Sequence, residues 1–349
     1  DVYLRWMEAE DLGVGNFLQL QRQMDAAVQY GFGVAGEARR GNYMIRPGHE
    51  SRSEFYGHIN LLGGRDMIRP LSVGPSLANS PDAYPYPKVL FERGRKLGAT
   101  VGYAHFNGST PHSALMMDLV AGSIDFVEVF QFSVLKTEQW YELLNAGFRV
   151  TGIAGSDFPA NMSRLKSGAR TVPLLGPERT MVKARAGASS PYDVWAAGVR
   201  KGEAFVTNGP LIEIAMDPAG LNVTASAEFY RPLEQLEIVI NGEVAVSAGD
   251  GSQKKLAASS KLPEGSCWVA ARTRATAEVK GPMVQAHTNP LYRLRDGKPV
   301  LVGGARAKLA AQWETELKYY ESAGLVFPGA KEKQEFFELA SRTLAELRR

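Results

Sequence analysis

ATVGYAHFNGSTPHSALMMDLVAGSIDFVEVFQFSVLKTEQWYELLNAGFRVTGIAGSD, residues 99–157, alternates short apolar runs with helical patterns. ATVGYAHF (99–106) reads as a buried strand, HSALMMDLVAGS (112–123) as a helix and IDFVEVFQF (124–132) as a strand. TEQWYELLNAG (137–147) reads as a helix with Thr137 as N-cap and Gly147 as C-cap, and FRVTGIAGSD (148–157) as a strand ending in a polar turn. Strand–helix–strand repeats of this kind predict a parallel sheet, either a closed β/α barrel or an open doubly wound sheet. Upstream, NYMIRPGHE (42–50) and YGHINLLGG (56–64) read as strands, and YPKVLFERGRKLG (86–98) as a helix stopped by Gly98.

After KARAGASS (183–190) and the helix PYDVWAAGVRKG the grammar changes. Consecutive β-type runs separated by Gly, Pro and Asn turns, with an Asn-Gly hairpin signal in INGE (240–243), predict a small antiparallel sandwich. Two helices follow from about 304. The expected domains are therefore an α/β unit over 1–185, a β-sandwich over 186–303 and a C-terminal helical segment over 304–349.

The chain has 349 residues, 44% hydrophobic and 22% charged, a globular balance long enough for two domains. A net charge of +3, with basic residues scattered among acidic ones, gives no nucleic-acid footprint. No apolar run reaches the length of a membrane span. The single cysteine, Cys267, excludes an intrachain disulfide and a thiolate zinc site. The opening DVYLRWMEAEDLGV has near-helical apolar spacing but neither initiator Met nor lead-in, and reads as a chain entered inside or just before a helix.

Five histidines are few, yet GHESRSEFYGHI (48–59) holds two of them with two glutamates between. Glu50 follows one strand, His105 closes another, Asp157 closes a third, and His58 comes eight residues after Glu50. In parallel β/α folds the active site gathers at the C-terminal ends of strands. Histidine nitrogen and carboxylate oxygen are ligands that suit Zn, Mn or Fe(II), so Glu50, His58, His105 and Asp157 form the candidate metal set. His49 reads as a neighbour shaping the site and Glu54 as a solvated loop residue. His112 is placed near a helix N-terminus, and Glu128 either beside a metal or at the barrel mouth. GFGVAG (31–36) matches a GxGxxG pattern but opens no helical run and reads as a loop; no GxSxG elbow or Walker A sequence occurs. Phe55, Tyr56, Tyr103, Phe106, Phe130 and Phe158 lie near these motifs and are candidates to line an apolar pocket.

GHESRSEFYGHINLLGG, GYAHF, IDFVEVF, WYELLNAGFRVTGIAGSD, GEAFVTNGPLIEI and VAARTRA followed by VQAHTNPLY occur in one order. That order resembles the PHP-type metallohydrolases of the CehA/McbA branch, best known as carbaryl hydrolases, from about residue 5 to 310. The resemblance implies a distorted PHP-type β/α barrel, carrying a cluster of two or more divalent ions, followed by a β-sandwich. It implies metal binding by Glu50, His58, His105 and Asp157, with Glu50, His105 and Asp157 as catalytic residues. Phe106 stands where the family has Pro after the histidine, and the His-x-His pair that opens PHP barrels is absent, which the abrupt start explains as N-terminal truncation. The implied activity is attack by metal-activated hydroxide on an ester, carbamate or amide carbonyl, with a small aromatic ester or carbamate as substrate; a homodimer is compatible with it. Export to a bacterial periplasm is the implied location. Two alternatives stand beside it. One is phosphoester hydrolysis at the same site, which needs cations such as Arg46, Arg52 and Arg164. The other is an inactive barrel with a carbohydrate- or partner-binding sandwich.

Overall fold

The computed structural model describes residues 1–20, 31–70, 72–74, 81–106, 110–158, 175–183, 190–276 and 281–349. Arg164 and most of the KARAGASS stretch lie outside the described residues. The described helices are α1 (Val2–Ala9), α2 (Pro87–Lys96), α3 (Leu115–Val120), α4 (Thr137–Asn145), α5 (Pro191–Lys201), α6 (Ala305–Ser322) and α7 (Ala330–Leu347). None of them is long and apolar enough to cross a membrane. The chain forms two compact units: 1–127 with 187–196 and 306–349, and 128–186 with 197–305.

The first unit is built on strands β1 (Val14–Leu20), β2 (Ala38–Arg40), β3 (Tyr43–Ser51), β4 (Ile59–Leu62) and β5 (Thr100–Tyr103). β3 pairs with β1 in parallel along its length, with β2 antiparallel at its start and with β4 antiparallel at its end. β4 pairs antiparallel with β5, and β5 pairs in parallel with the start of β6 (Phe126–Gln131). The expected all-parallel sheet is thus corrected to a mixed one. Residues 52–58 are the whole link from β3 to β4, and a parallel return needs a crossover of a dozen or more residues, so β4 must run back. GFGVAG, expected as a loop, holds a single 3₁₀ turn at Gly33–Gly36.

α2 shows how sequence sets a helix here. Pro87 opens it, Leu90, Phe91 and Gly94 form its buried stripe, and Arg93, Arg95 and Lys96 complement the negative C-terminal end. Gly98 stops it at φ +82, which a residue with a Cβ adopts only at a cost. The two C-terminal helices belong to this unit. Trp313 Nε1 on α6 donates to Ala340 O on α7 at 2.9 Å, and Phe336 of α7 packs on Tyr56 and Tyr86. Tyr320 Oη on α6 donates to Phe55 O at 2.9 Å.

The second unit takes the rest of β6 with β7 (Val134–Leu135), β8 (Thr151–Ala154), β9 (Arg179–Val182), β10 (Ala204–Thr207), β11 (Leu211–Met216) and β12 (Asn222–Glu228). It continues through β13 (Leu233–Ile240), β14 (Glu243–Ala248), β15 (Lys255–Lys261), β16 (Cys267–Ala275), β17 (Gln285–Thr288) and β18 (Leu291–Arg293). One sheet runs β14-β13-β16-β17-β10-β9 with β18 on β16, and a second runs β11-β12-β15. β12 alternates strictly, burying Val223, Ala225 and Ala227 against Leu236, Ile238, Val269 and Ala271 of the larger sheet. The Asn241-Gly242 hairpin has positive φ at both residues, 52° and 94°, as its tight turn requires.

α4 starts at Thr137 with Lys136 as N-cap and no side-chain cap, which corrects the expected Thr137 cap by one position. Its buried Trp140 donates to Val150 O, and Tyr141 lies 2.5 Å from His287 Nε2. Burial lowers the His287 pKa to about 4, so the ring is neutral; its Nδ1–H donates to Thr288 O at 2.6 Å and its Nε2 accepts from Tyr141. Asn289 ties β8 to β10, accepting from Gly152 N and donating to Gly152 O and Ala204 O.

Candidate metal centre

Reversal of β4 is what assembles the site. β4 runs against both neighbours, so its N-terminal end lies at the same edge as the C-terminal ends of β3 and β5; in register, Ser51 faces Ile59 and Ile59 faces Tyr103. Glu50 is the penultimate residue of β3, His58 immediately precedes β4, and His105 comes two residues after β5. Ala104 N donates to His58 O at 3.1 Å, which locks the two histidine-bearing turns together. Gly57 makes the turn into His58 at φ +88, closed by Gly57 N donating to Ser53 O. His105 has φ +29, a left-handed conformation that costs a non-glycine residue of order 1–3 kcal/mol and that concentrates at functional sites.

Glu50 Oε1, His58 Nδ1 and His105 Nε2 form a triangle with sides of 3.0, 3.2 and 3.6 Å. These three residues are the group able to hold a metal ion among the described residues, their ligand atoms all within 4.8 Å of one another. The donor set fits such an ion: a tetrahedral centre with bonds near 2.1 Å to N and O spaces its ligands about 3.4 Å apart. Two imidazole nitrogens and one carboxylate oxygen suit Zn, Mn or Fe(II).

Glu50 is buried, and burial by itself raises its pKa. Hydrogen bonds from His105 and His58 and the charge of Arg52 outweigh that and hold the carboxyl well below the ordinary range. It is therefore an anion in a nearly closed site. Arg52 reaches it with Nε at 3.1 Å and Nη2 at 3.4 Å, while the Arg52 amide donates to Ser72 Oγ.

The other expected residues sort as follows. His49 alternates to the opposite face of β3 from Glu50, buried against Phe32, and burial lowers its pKa to about 4. Glu54 is half-buried. Tyr56 donates to Ala83 O and Tyr103 to Asp118 at 2.7 Å, so both hydroxyls are spent inside the core, where Phe55 and Phe106 also lie. Phe130 is buried and Phe158 half-buried in the second unit. Asp157 and Glu128 belong to that unit as well. Asp157 sits after β8 at φ +49, and Glu128 is buried on β6 against Gly155. Arg46 lies over the Tyr192 ring at 4.3 Å and pairs with Glu37 and Asp193. Two groups escaped sequence reasoning: the buried Asp118 under Tyr103, and Glu316 on α6, which lies 3.2 Å from His112 Nδ1. No local signal marks Glu316, which stands 204 residues from its partner.

No family model and no curated protein matches the chain. Among solved structures, it is similar to a two-domain protein from Bacteroides vulgatus containing a predicted PHP-like metal-dependent phosphoesterase. The identity is 16%, covering 72% of this chain and 76% of that one, with a TM-score of 0.35, which does not establish a shared fold.

Proposed function

We propose that the first unit is the metal-holding part of a PHP-type hydrolase. The observation that carries this is the Glu50–His58–His105 triangle, whose sides match the ligand spacing of a divalent ion. When bound, such an ion supplies Lewis acidity and makes an ionised water available near neutral pH. The chain's own residues do the rest. Glu50 contributes the negative charge, His58 and His105 offer ring nitrogens, and the backbone lock between Ala104 and His58 fixes their separation.

The substrate is an ester. Arg52, with its side chain 26% exposed beside Glu50, favours an anionic phosphoester, because a fixed guanidinium matches phosphate oxygens. The motif order favours a neutral aryl ester or carbamate instead. Assaying the Mn- and Zn-loaded chain against phenyl phosphate and a naphthyl carbamate separates the two. Turnover of either, lost in His105→Ala, supports the hydrolase; turnover of neither by metal-loaded protein refutes it.

A further inference from the structure

We propose that His112, held by Glu316, is the general acid that protonates the leaving oxygen at the Glu50–His58–His105 site, an inference that rests on the hydrolase reading above. His112 Nδ1 lies 3.2 Å from Glu316 Oε2, and its ring stacks on Tyr319 at 3.3 Å between centroids and 6° between planes. Glu316 also accepts from the Ser113 backbone N–H. Two anchors on one carboxylate and a ring stacked face to face leave the imidazole little rotational freedom. Among the described residues no partner is shown for Nε2, and the His112 side chain is 26% exposed. A base or acid oriented by a carboxylate through one ring nitrogen, with the other turned outward, is the arrangement that proton transfer to a substrate needs.

The segment packs on the turn that enters His58. Ala114 N donates to Tyr56 O at 3.0 Å. A Cβ on Gly57, the residue before His58, would stand 3.6 Å from Ser113 Oγ and 3.8 Å from His112 O. α6 presents Glu316 and Tyr319 there because Tyr320, next in sequence, is bonded to Phe55 O in the same turn.

The step balances without a further reagent. A water-derived hydroxide forms the new bond to phosphorus, the bond from phosphorus to the leaving oxygen breaks, and its electron pair stays on that oxygen. A proton held on Nε2 of His112 moves to it, giving the free alcohol, and solvent returns a proton to the ring. Glu316 is then a positioning residue.

The test uses the full chain loaded with Mn and two esters, p-nitrophenyl phosphate, whose leaving group needs no proton, and phenyl phosphate, whose leaving group does. His112→Asn is expected to slow phenyl phosphate about 100-fold while changing p-nitrophenyl phosphate by less than about threefold. Mn content stays unchanged, and Glu316→Gln follows in the same sense by about tenfold. In the Zn-loaded protein, saturating phenylphosphonate should move the His112 Nε2 signal in the imidazole ¹H–¹⁵N spectrum. Equal losses on both esters, no loss on either, or an unmoved Nε2 signal at saturation overturns the assignment. Wild-type protein that holds Mn but hydrolyses neither ester defeats the phosphoester reading of the site, and the imidazole spectrum then still decides whether His112 faces it.

Discussion

Asp118 on α3 is fully buried, and burial pushes its pKa from the ordinary 3.8 up to about 7, against the hydrogen bonds it accepts from Tyr103 and Ser123. A carboxyl raised in this way binds its proton more tightly folded than unfolded. The stability this contributes is complete below about pH 3.8 and is lost as the pH rises through about 7. Between those values the loss is about 1.36 kcal/mol per pH unit, or about 4 kcal/mol in all. Asp118→Asn keeps the shape and removes the titration. Hydrogen exchange of the peptide covering α3, measured from pH 4 to 8, reads the local stability. The wild type should lose about 3–4 kcal/mol relative to Asp118→Asn across that range, with the difference flattening above pH 7. Wild type and variant running parallel throughout would show that Asp118 stays ionised when folded, and the argument from its burial would fail.

Arg52→Met should leave metal binding intact but raise the KM for phenyl phosphate about tenfold, the worth of one charge-assisted contact, with no such change for a neutral carbamate. In the second unit, Trp140→Ala empties a site with no solvent exposure and should cost about 3–5 kcal/mol in urea denaturation followed by far-UV circular dichroism. Asn289→Ala leaves the Gly152 N–H without its acceptor and strips the side-chain bond from the Gly152 carbonyl, while the Ala204 carbonyl keeps the bond from the residue 289 amide, and the midpoint should fall by the equivalent of about 1–3 kcal/mol; a loss under about 0.5 kcal/mol would mean that water replaces the side chain.

Much of the site was legible because strand ends and ligand-type residues coincide in the sequence. YMIRPGHE, HINLL and TVGY are the strands that carry Glu50, His58 and His105, and Gly98 and Gly147 both take the positive φ expected of helix stops. Strand direction was less legible, because periodicity is the same for either direction; only the shortness of 52–58 forces β4 to reverse. VGNFLQL, after the opening helix, carries no local strand signal, since its apolar residues gain their meaning only against β3. Glu316 and Asp118 were illegible for a different reason. Each owes its role to a partner distant in sequence or to complete burial, and neither leaves a local pattern.

The central claim stands or falls on metal affinity. Calorimetric titration of the metal-stripped chain with Zn and with Mn should show at least one ion bound per chain, with affinity reduced about 100-fold or more in Glu50→Ala, His58→Ala and His105→Ala alike. No binding, or binding unchanged in all three variants, would contradict the account.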